Sequence, residues 1–376
     1  MLAGTLITAA LVILVGACTP SQDPANGPAD TPVFLLANPE RIGSEIEWGD
    51  LEEFDVRASD GAVVALDRYA SRIHVMGIAG ATSFGRAGEG PDEILGPGPI
   101  VATAETIVLI SQGRISAWDY RGTIVNTAHS RGALSAFQWG PDHVAARGRD
   151  TGAGVPLHHD RIDLWRADLS GDPRLLFRDA DLADFPTDSL TGDKIGAPEL
   201  GLIAMMRADT SPLIRIDPEE GSVVRYPPLD REQAEWTPEE WTRYMRRAYT
   251  SGLYESPMPQ MREMFLNALS RPVESNPQFD KRLIPYESSV GLHDRGQIWV
   301  MMGVPLEERT VIDVFGPMGE KLGSVHLPAL VVEQIRLKGD WLVALSFDDL
   351  DRPELRRYPI GAVVDSLERG QPRRTP

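Results

Sequence analysis

Arg72-Ile-His-Val-Met-Gly-Ile-Ala-Gly80 and Arg114-Ile-Ser-Ala-Trp-Asp-Tyr-Arg-Gly122 are two copies of one nine-residue phrase. Looser copies begin at Arg161, Leu213, Val311 and Glu354. A phrase that returns at this interval is the signature of a repeat architecture. Each copy follows a second apolar run, as in Val63-Val64-Ala65-Leu66, Ile107-Val108-Leu109-Ile110 and Ile298-Trp299-Val300-Met301. Short apolar runs bounded by turn residues read as buried strands. Four phrases close on Gly80, Gly122, Gly221 and Gly319, which suits a tight turn into another strand. That strand falls at residues 81–84, 123–127, 222–226 and 321–327, and the unit begins upstream at 51–57, 134–139, 286–292 and 331–337.

Six such units predict an all-β chain: a six-bladed β-propeller of four-stranded antiparallel blades. Two stacked flat sheets would not explain six copies of one phrase. The copies start 42, 47, 52, 98 and 43 residues apart, so the long interval holds one blade plus an insertion between blades 4 and 5. The last blade is expected to borrow a strand from residues 33–37 or from around Ile46, with 361–367 as the alternative.

The stretch after the first blade is Phe84-Gly-Arg-Ala-Gly-Glu-Gly-Pro-Asp-Glu-Ile94. It resembles the G-R-x-G-E-G-P-G-E-F signature of bacterial six-bladed β-propeller lipoproteins, related to NHL-repeat proteins. Asp67 through Val75 is similar to the NHL phrase D-x-x-x-x-R-I-x-V. The chain departs from the signature at Asp92 and Ile94. The resemblance spans roughly residues 47–360 and implies fold and location more than activity.

The N-terminus points the same way. Leu2 to Val15 is almost wholly apolar, and Val15-Gly16-Ala17-Cys18 follows. Small residues before a lone cysteine resemble the bacterial lipobox, where a signal peptide is cut and the cysteine acylated. The run has signal-peptide length and is short for a transmembrane helix. The implied organisation is a signal peptide over 1–17, lipidation at Cys18, a flexible tether over 18–32, the propeller over 33–368 and a disordered tail over 369–376. Resemblance to lipoproteins implies stable anchoring to the bacterial cell envelope, at the outer membrane or the periplasmic face. An uncleaved anchor is the competing reading.

The chain has 376 residues, 42% hydrophobic and 24% charged, with a formal net charge of −18. That composition is globular rather than disordered. So acidic a surface repels phosphate backbones and argues against nucleic acid as a partner. Cys18 is the only cysteine, so no disulfide forms within the chain.

In an up-and-down blade the second-to-third loop and the blade-to-blade loop emerge on one side. That rim collects the long segments 85–98, 149–160, 178–196 and 229–283, and long loops on a rigid scaffold are where binding lives. The candidate binding face is therefore Arg86, Glu89, Asp92, His158, His159, Arg243, Arg246 and Arg247. Thr237-Pro238-Glu239-Glu240 reads as a capping box that starts a helix inside the insertion of about 230–283. Arg243, Arg246 and Arg247 then share one helix face. They form either a basic lid for an anionic ligand or a cap paired to the acidic surface, and the strongly negative surface favours the second.

The Gly85–Gly90 turn suggests a phosphate cradle but lacks the Lys-Ser/Thr pair of a P-loop, which favours a structural turn. His158-His159 reads poorly as a metal site, because adjacent strand side chains point to opposite faces. Asp67, Asp119, Asp217 and Asp313 are expected in blade turns, accepting hydrogen bonds. No G-x-S-x-G elbow is present. The reading that results is a non-catalytic scaffold, expected to be monomeric, that binds a small molecule or an envelope protein and needs no cofactor. The alternative is a calcium-dependent hydrolase or lyase with its site at the channel mouth.

Overall fold

The computed structural model describes residues 32–369, apart from 78–79, 91, 112, 130–132, 150–159, 180–189, 207–212, 227–289, 303–308, 329–331 and 349–351. Cys18, His158, His159, Arg243, Arg246, Arg247, the helix expected in the insertion and the tail after 369 lie outside the described residues.

Two short strands, β1 (Val33–Leu35) and β2 (Glu40–Ile42), precede six antiparallel sheets. Blade 1 is β3 (Leu51–Val56), β4 (Val63–Asp67), β5 (Arg72–Gly77) and β6 (Gly80–Phe84). Blade 2 is β7 (Pro97–Ala102), β8 (Ile107–Ser111), β9 (Arg114–Trp118) and β10 (Ile124–His129). Blade 3 is β11 (Ala133–Gln138), β12 (His143–Arg149), β13 (Asp160–Arg166) and β14 (Arg174–Arg178). Blade 4 is β15 (Leu190–Ala197), β16 (Gly201–Met206), β17 (Leu213–Ile216) and β18 (Val223–Arg225). Blade 5 is β19 (Val290–Leu292), β20 (Ile298–Met302), β21 (Arg309–Phe315) and β22 (Lys321–Pro328). Blade 6 is β23 (Val332–Lys338), β24 (Trp341–Phe347) and β25 (Pro353–Pro359), with β2 as its fourth strand. The first strand of every blade touches the first strand of the next, and β23 touches β3, so the ring closes.

The apolar second strands explain why the blades stack. Val63 and Ala65 of β4 enter the cluster shared with blade 6, while Val64 and Leu66 enter the cluster shared with blade 2. On β8, Ile107 and Leu109 face blade 1, and Val108 and Ile110 face blade 3. On β24, Leu342 and Ala344 face blade 5, and Val343 and Leu345 face blade 1. Alternate side chains of a strand leave by opposite faces. A strand buried on both faces must therefore be apolar throughout, and the core becomes wedges between blades rather than a central mass. Outer strands such as β6 are exposed.

The turns between third and fourth strands follow the expected chemistry. Gly80, Gly122, Gly221 and Gly319 all hold positive φ, a backbone region that glycine enters without a Cβ clash. An Asp119 carboxylate oxygen accepts the N–H groups of Arg121 (2.9 Å) and Thr123 (2.8 Å), and Asp217 does the same for Glu219 and Glu220. Those backbone donors hold both carboxyls below their ordinary range, the Thr123 bond leading for Asp119 and the Glu220 bond for Asp217. Asp67 ends β4 and accepts from Gly49, Asp50 and Ala70. Asp313 corrects the turn expectation. It lies inside β21, buried, where it accepts from the Ser324 hydroxyl at 2.7 Å and pairs with Lys321 at 3.2 Å.

Ring closure draws on the N-terminal segment, as expected, but on a stretch of it that lies between the two named. Neither residues 33–37 nor Ile46 supplies the missing strand. The closing strand is β2, antiparallel to β25, with Glu40 opposite Arg357. β1 instead adds to the outside of blade 5, parallel to β22. Residues 361–367 fall in a helix, α1 (Gly361–Arg369), which buries Val363, Val364 and Leu367 in the wedge between blades 5 and 6. Those apolar positions recur at one and four residues, a helical rather than a strand spacing.

Arg357 locks the closure. Its side chain is 1% exposed, and Nη2 and Nε reach Glu40 Oε2 at 2.5 and 3.1 Å. Nη1 donates to the Gly61 carbonyl of blade 1, and the guanidinium lies 4.9 Å from the Trp341 ring centroid. One cation thus joins blade 6, its borrowed strand and blade 1. Removing one partner of a buried pair strands the other charge. Glu40→Ala is expected to lower unfolding free energy by about 3 kcal/mol, since Glu40 is 55% exposed and water can refill only its side of the pair. Arg357→Met should cost less, because the freed carboxylate is hydrated. Urea denaturation of the two variants measures the order.

Candidate functional site

Among the described residues a cavity of about 680 Å³ occupies one end of the channel. Every blade contributes the end of its first strand and the turn that follows. The turns supply Ser59, Ala104, Pro141, Glu199, Asp294 and Asp340, and the strands supply Ile100, Phe137, Ile195, Leu292 and Ile335. This is the end opposite the rim that carries the blade-to-blade loops.

The first strands have one edge without a neighbouring strand, and unpaired backbone groups there need partners. Between blades 6, 1 and 2, side chains provide them. Asp55 is buried and accepts the Ala102 N–H at 2.8 Å through Oδ2, while Oδ1 accepts the Val56 N–H at 2.8 Å. Lys338 donates to the same Asp55 Oδ2 and, at 2.7 Å, to the Ala102 carbonyl. Arg336 donates to the Phe54 carbonyl at 3.1 Å, reaches Glu53 at 3.8 Å and lies over the Phe54 ring. Two cations of blade 6 thereby hold blade 1, and Lys338 also holds blade 2. These charges neutralise one another, so this part of the channel wall is knitted by ion pairs that cross from blade to blade.

His293 lines the same cavity and is 2% exposed. Its Nδ1 accepts the Arg295 N–H at 3.2 Å, which assigns the proton to Nε2. Nε2 meets no partner in strict hydrogen-bond geometry, but the Gly339 backbone lies close enough to form a weak hydrogen bond that raises the ring's proton affinity. Burial pushes this imidazole below its ordinary value, against the pull of Asp294. At blade 1, His74 is buried under Trp48, with Nδ1 2.8 Å from the Ser83 hydroxyl, and burial likewise lowers it, against Asp67.

Of the rim candidates, Arg86, Glu89 and Asp92 lie among the described residues. Arg86 Nε is 3.0 Å from Glu93, and its Nη2 is 3.8 Å from Asp92. Arg114 donates to the carbonyls of Glu89, Gly90 and Glu93. The anchor is Glu93, a residue the sequence reading passed over. Its Oε2 accepts the Gly90 N–H at 2.8 Å, and a Cβ on Gly88 would meet that oxygen at 2.0 Å. The glycine-rich turn does form a cradle for an anion, and the chain's own carboxylate fills it. Ile94 then plugs the wedge between blades 1 and 2. A glutamate three residues after a glycine in a loop was the available signal, because a side chain of that length folds back onto the amide.

The structure brings no three of His, Cys, Asp and Glu together in a metal-holding group among the described residues. Asp67, Asp119 and Asp217 direct their oxygens to backbone amides instead.

No family model and no curated protein matches the chain. Among solved structures it is similar to a member of the duf4221 family from Bacteroides vulgatus, at 10% identity and a TM-score of 0.49, over 85% of this chain and 95% of that one. It is similar to a calcium-binding regucalcin from Agrobacterium tumefaciens at 12% identity and a TM-score of 0.46, over 87% and 95% of the two chains. Virginiamycin B lyase from Staphylococcus aureus, an inactive variant with quinupristin, gives 11% identity and a TM-score of 0.41, over 82% and 80%. Likeness at this level carries nothing about ligand or activity, and the six-bladed ring rests on the sheets themselves.

Two outcomes are expected. Gly88→Ala and Glu93→Ala should each cost about 1–3 kcal/mol of stability, read by thermal unfolding, because each breaks the loop's internal anion site. The fold binds a proton at His74 and His293 less tightly than the unfolded chain, whose imidazoles titrate near 6.5. Their contribution is therefore complete above about pH 6.5 and is lost as pH falls below it. A His74→Gln/His293→Gln double variant should flatten the melting temperature between about pH 7 and 5.

Proposed function

We propose that this chain is a lipid-anchored β-propeller of the bacterial cell envelope that binds a ligand at its channel without chemically changing it. The observation that carries the reading is the cavity where six turns converge, whose inner charges are consumed in ties between blades. A volume of about 680 Å³ lies within the range of small-molecule sites. Its wall combines apolar strand residues with a few polar groups, the usual composition of such a site.

The envelope part rests on Val15-Gly16-Ala17-Cys18 and on the likeness of Phe84 to Ile94 to the propeller-lipoprotein signature. Among the described residues no helix is long and apolar enough to cross a membrane. In this reading attachment is the work of Cys18, through two or more acyl chains.

The test is labelling in a bacterial host. The native chain should incorporate radiolabelled palmitate and sediment with membranes, whereas Cys18→Ala should do neither. Sedimentation of both without label would replace the lipid anchor with an uncleaved apolar helix. Calcium bound one-to-one in protein purified without added metal would replace the binding reading with that of a calcium-dependent hydrolase or lyase.

A further inference from the structure

The cavity's charges are unevenly engaged. Lys338 and Arg336, the cations of its inner wall, are held by Asp55, Glu53 and the carbonyls of Ala102 and Phe54. Arg295 stands at the rim but is drawn outward, 2.8 Å from Asp365 and 3.0 Å from Glu368 of α1. Among the described residues no cation lies within ion-pair distance of Glu199, Asp294 or Asp340, and Asp294 accepts only the Gly339 N–H, at 3.2 Å. All three are exposed at the mouth. Beneath them Ile100, Phe137, Ile195, Leu292 and Ile335 form an apolar wall. His293, buried beside the Gly339 backbone, lines the same cavity.

Resting on the ligand-binding reading above, we infer that the cavity takes an amphipathic organic cation. Its amine or guanidinium head sits at the acidic mouth to which Glu199, Asp294 and Asp340 each contribute a carboxylate from a different blade, and its apolar body fills the space below. A cleft rimmed by one sign of charge over low-dielectric walls concentrates ligands of the opposite sign. An anion gains nothing from Lys338 or Arg336 unless it breaks their present bonds, which would leave Asp55 buried and unpaired. The net charge of −18 acts in the same direction at longer range.

Phenylbutylamine and phenylbutyrate share an apolar body and differ in the sign of the head, so calorimetric titration of the full chain with each separates the possibilities. The amine is expected to saturate one site and to bind at least tenfold more tightly than the carboxylate. Glu199→Gln/Asp340→Asn, both at exposed positions, should remove most of that preference, and raised salt should weaken it. Ala104→Trp, on an exposed turn at the mouth, should weaken binding without moving the melting temperature. Equal affinity for the two probes would overturn the cation preference and leave the cavity as a binding site. Binding of neither probe, or amine binding unaffected by Ala104→Trp, would overturn the cavity itself.

Discussion

A sheet with two apolar faces cannot stop. Each blade here buries alternate residues of its second strand against a different neighbour, so every blade needs two others. Only a closed ring gives all six a partner on both sides. The linear order of the chain cannot close that ring by itself, since the last blade has three strands of its own. Closure falls to Glu40–Ile42, and a buried guanidinium at Arg357 welds that strand to blades 6 and 1. The stability of the whole ring thus depends on a three-residue strand far from the rest of its sheet in sequence.

The channel follows from the same geometry. First strands face the axis with one bare edge each, and backbone groups on such an edge want hydrogen bonds. Blades 6, 1 and 2 meet that need with long charged side chains that cross from blade to blade. The ions that make the channel polar are therefore structural, and this is why the functional reading moves outward, to the turns at the mouth. There, among the described residues, the carboxylates of Glu199, Asp294 and Asp340 enter no ion pair, and Asp294 meets only the Gly339 amide of the neighbouring blade.

How legible was this in the sequence? The blades were, because burial on both faces forces runs such as Val63–Asp67 to be apolar without interruption, and because a repeat multiplies a weak signal. The turns were too, since Asp119 and Asp217 satisfy amides within their own loops. Asp313 was not. Its residue type is that of the turn aspartates, and only the register shows it mid-strand beside Ser324. The Gly85–Gly90 loop was half legible: its glycines announced an anion cradle, but not that Glu93 is the anion. The cavity was scarcely legible at all, because its lining comes from turns separated by the length of a blade and from residue types with no shared pattern.

The sequence by itself determined the number of blades, their strand order and the place of the tight turns, since each follows from local periodicity and from glycine and aspartate chemistry within a few residues. Tertiary structure alone decided which stretch of the N-terminal segment closes the ring, why 361–369 is a helix, and which charges are tied and which remain at the mouth. Those outcomes depend on contacts between residues hundreds of positions apart, such as Lys338 with Asp55 and Arg357 with Glu40, and no local pattern records what will stand opposite a residue once the ring has closed.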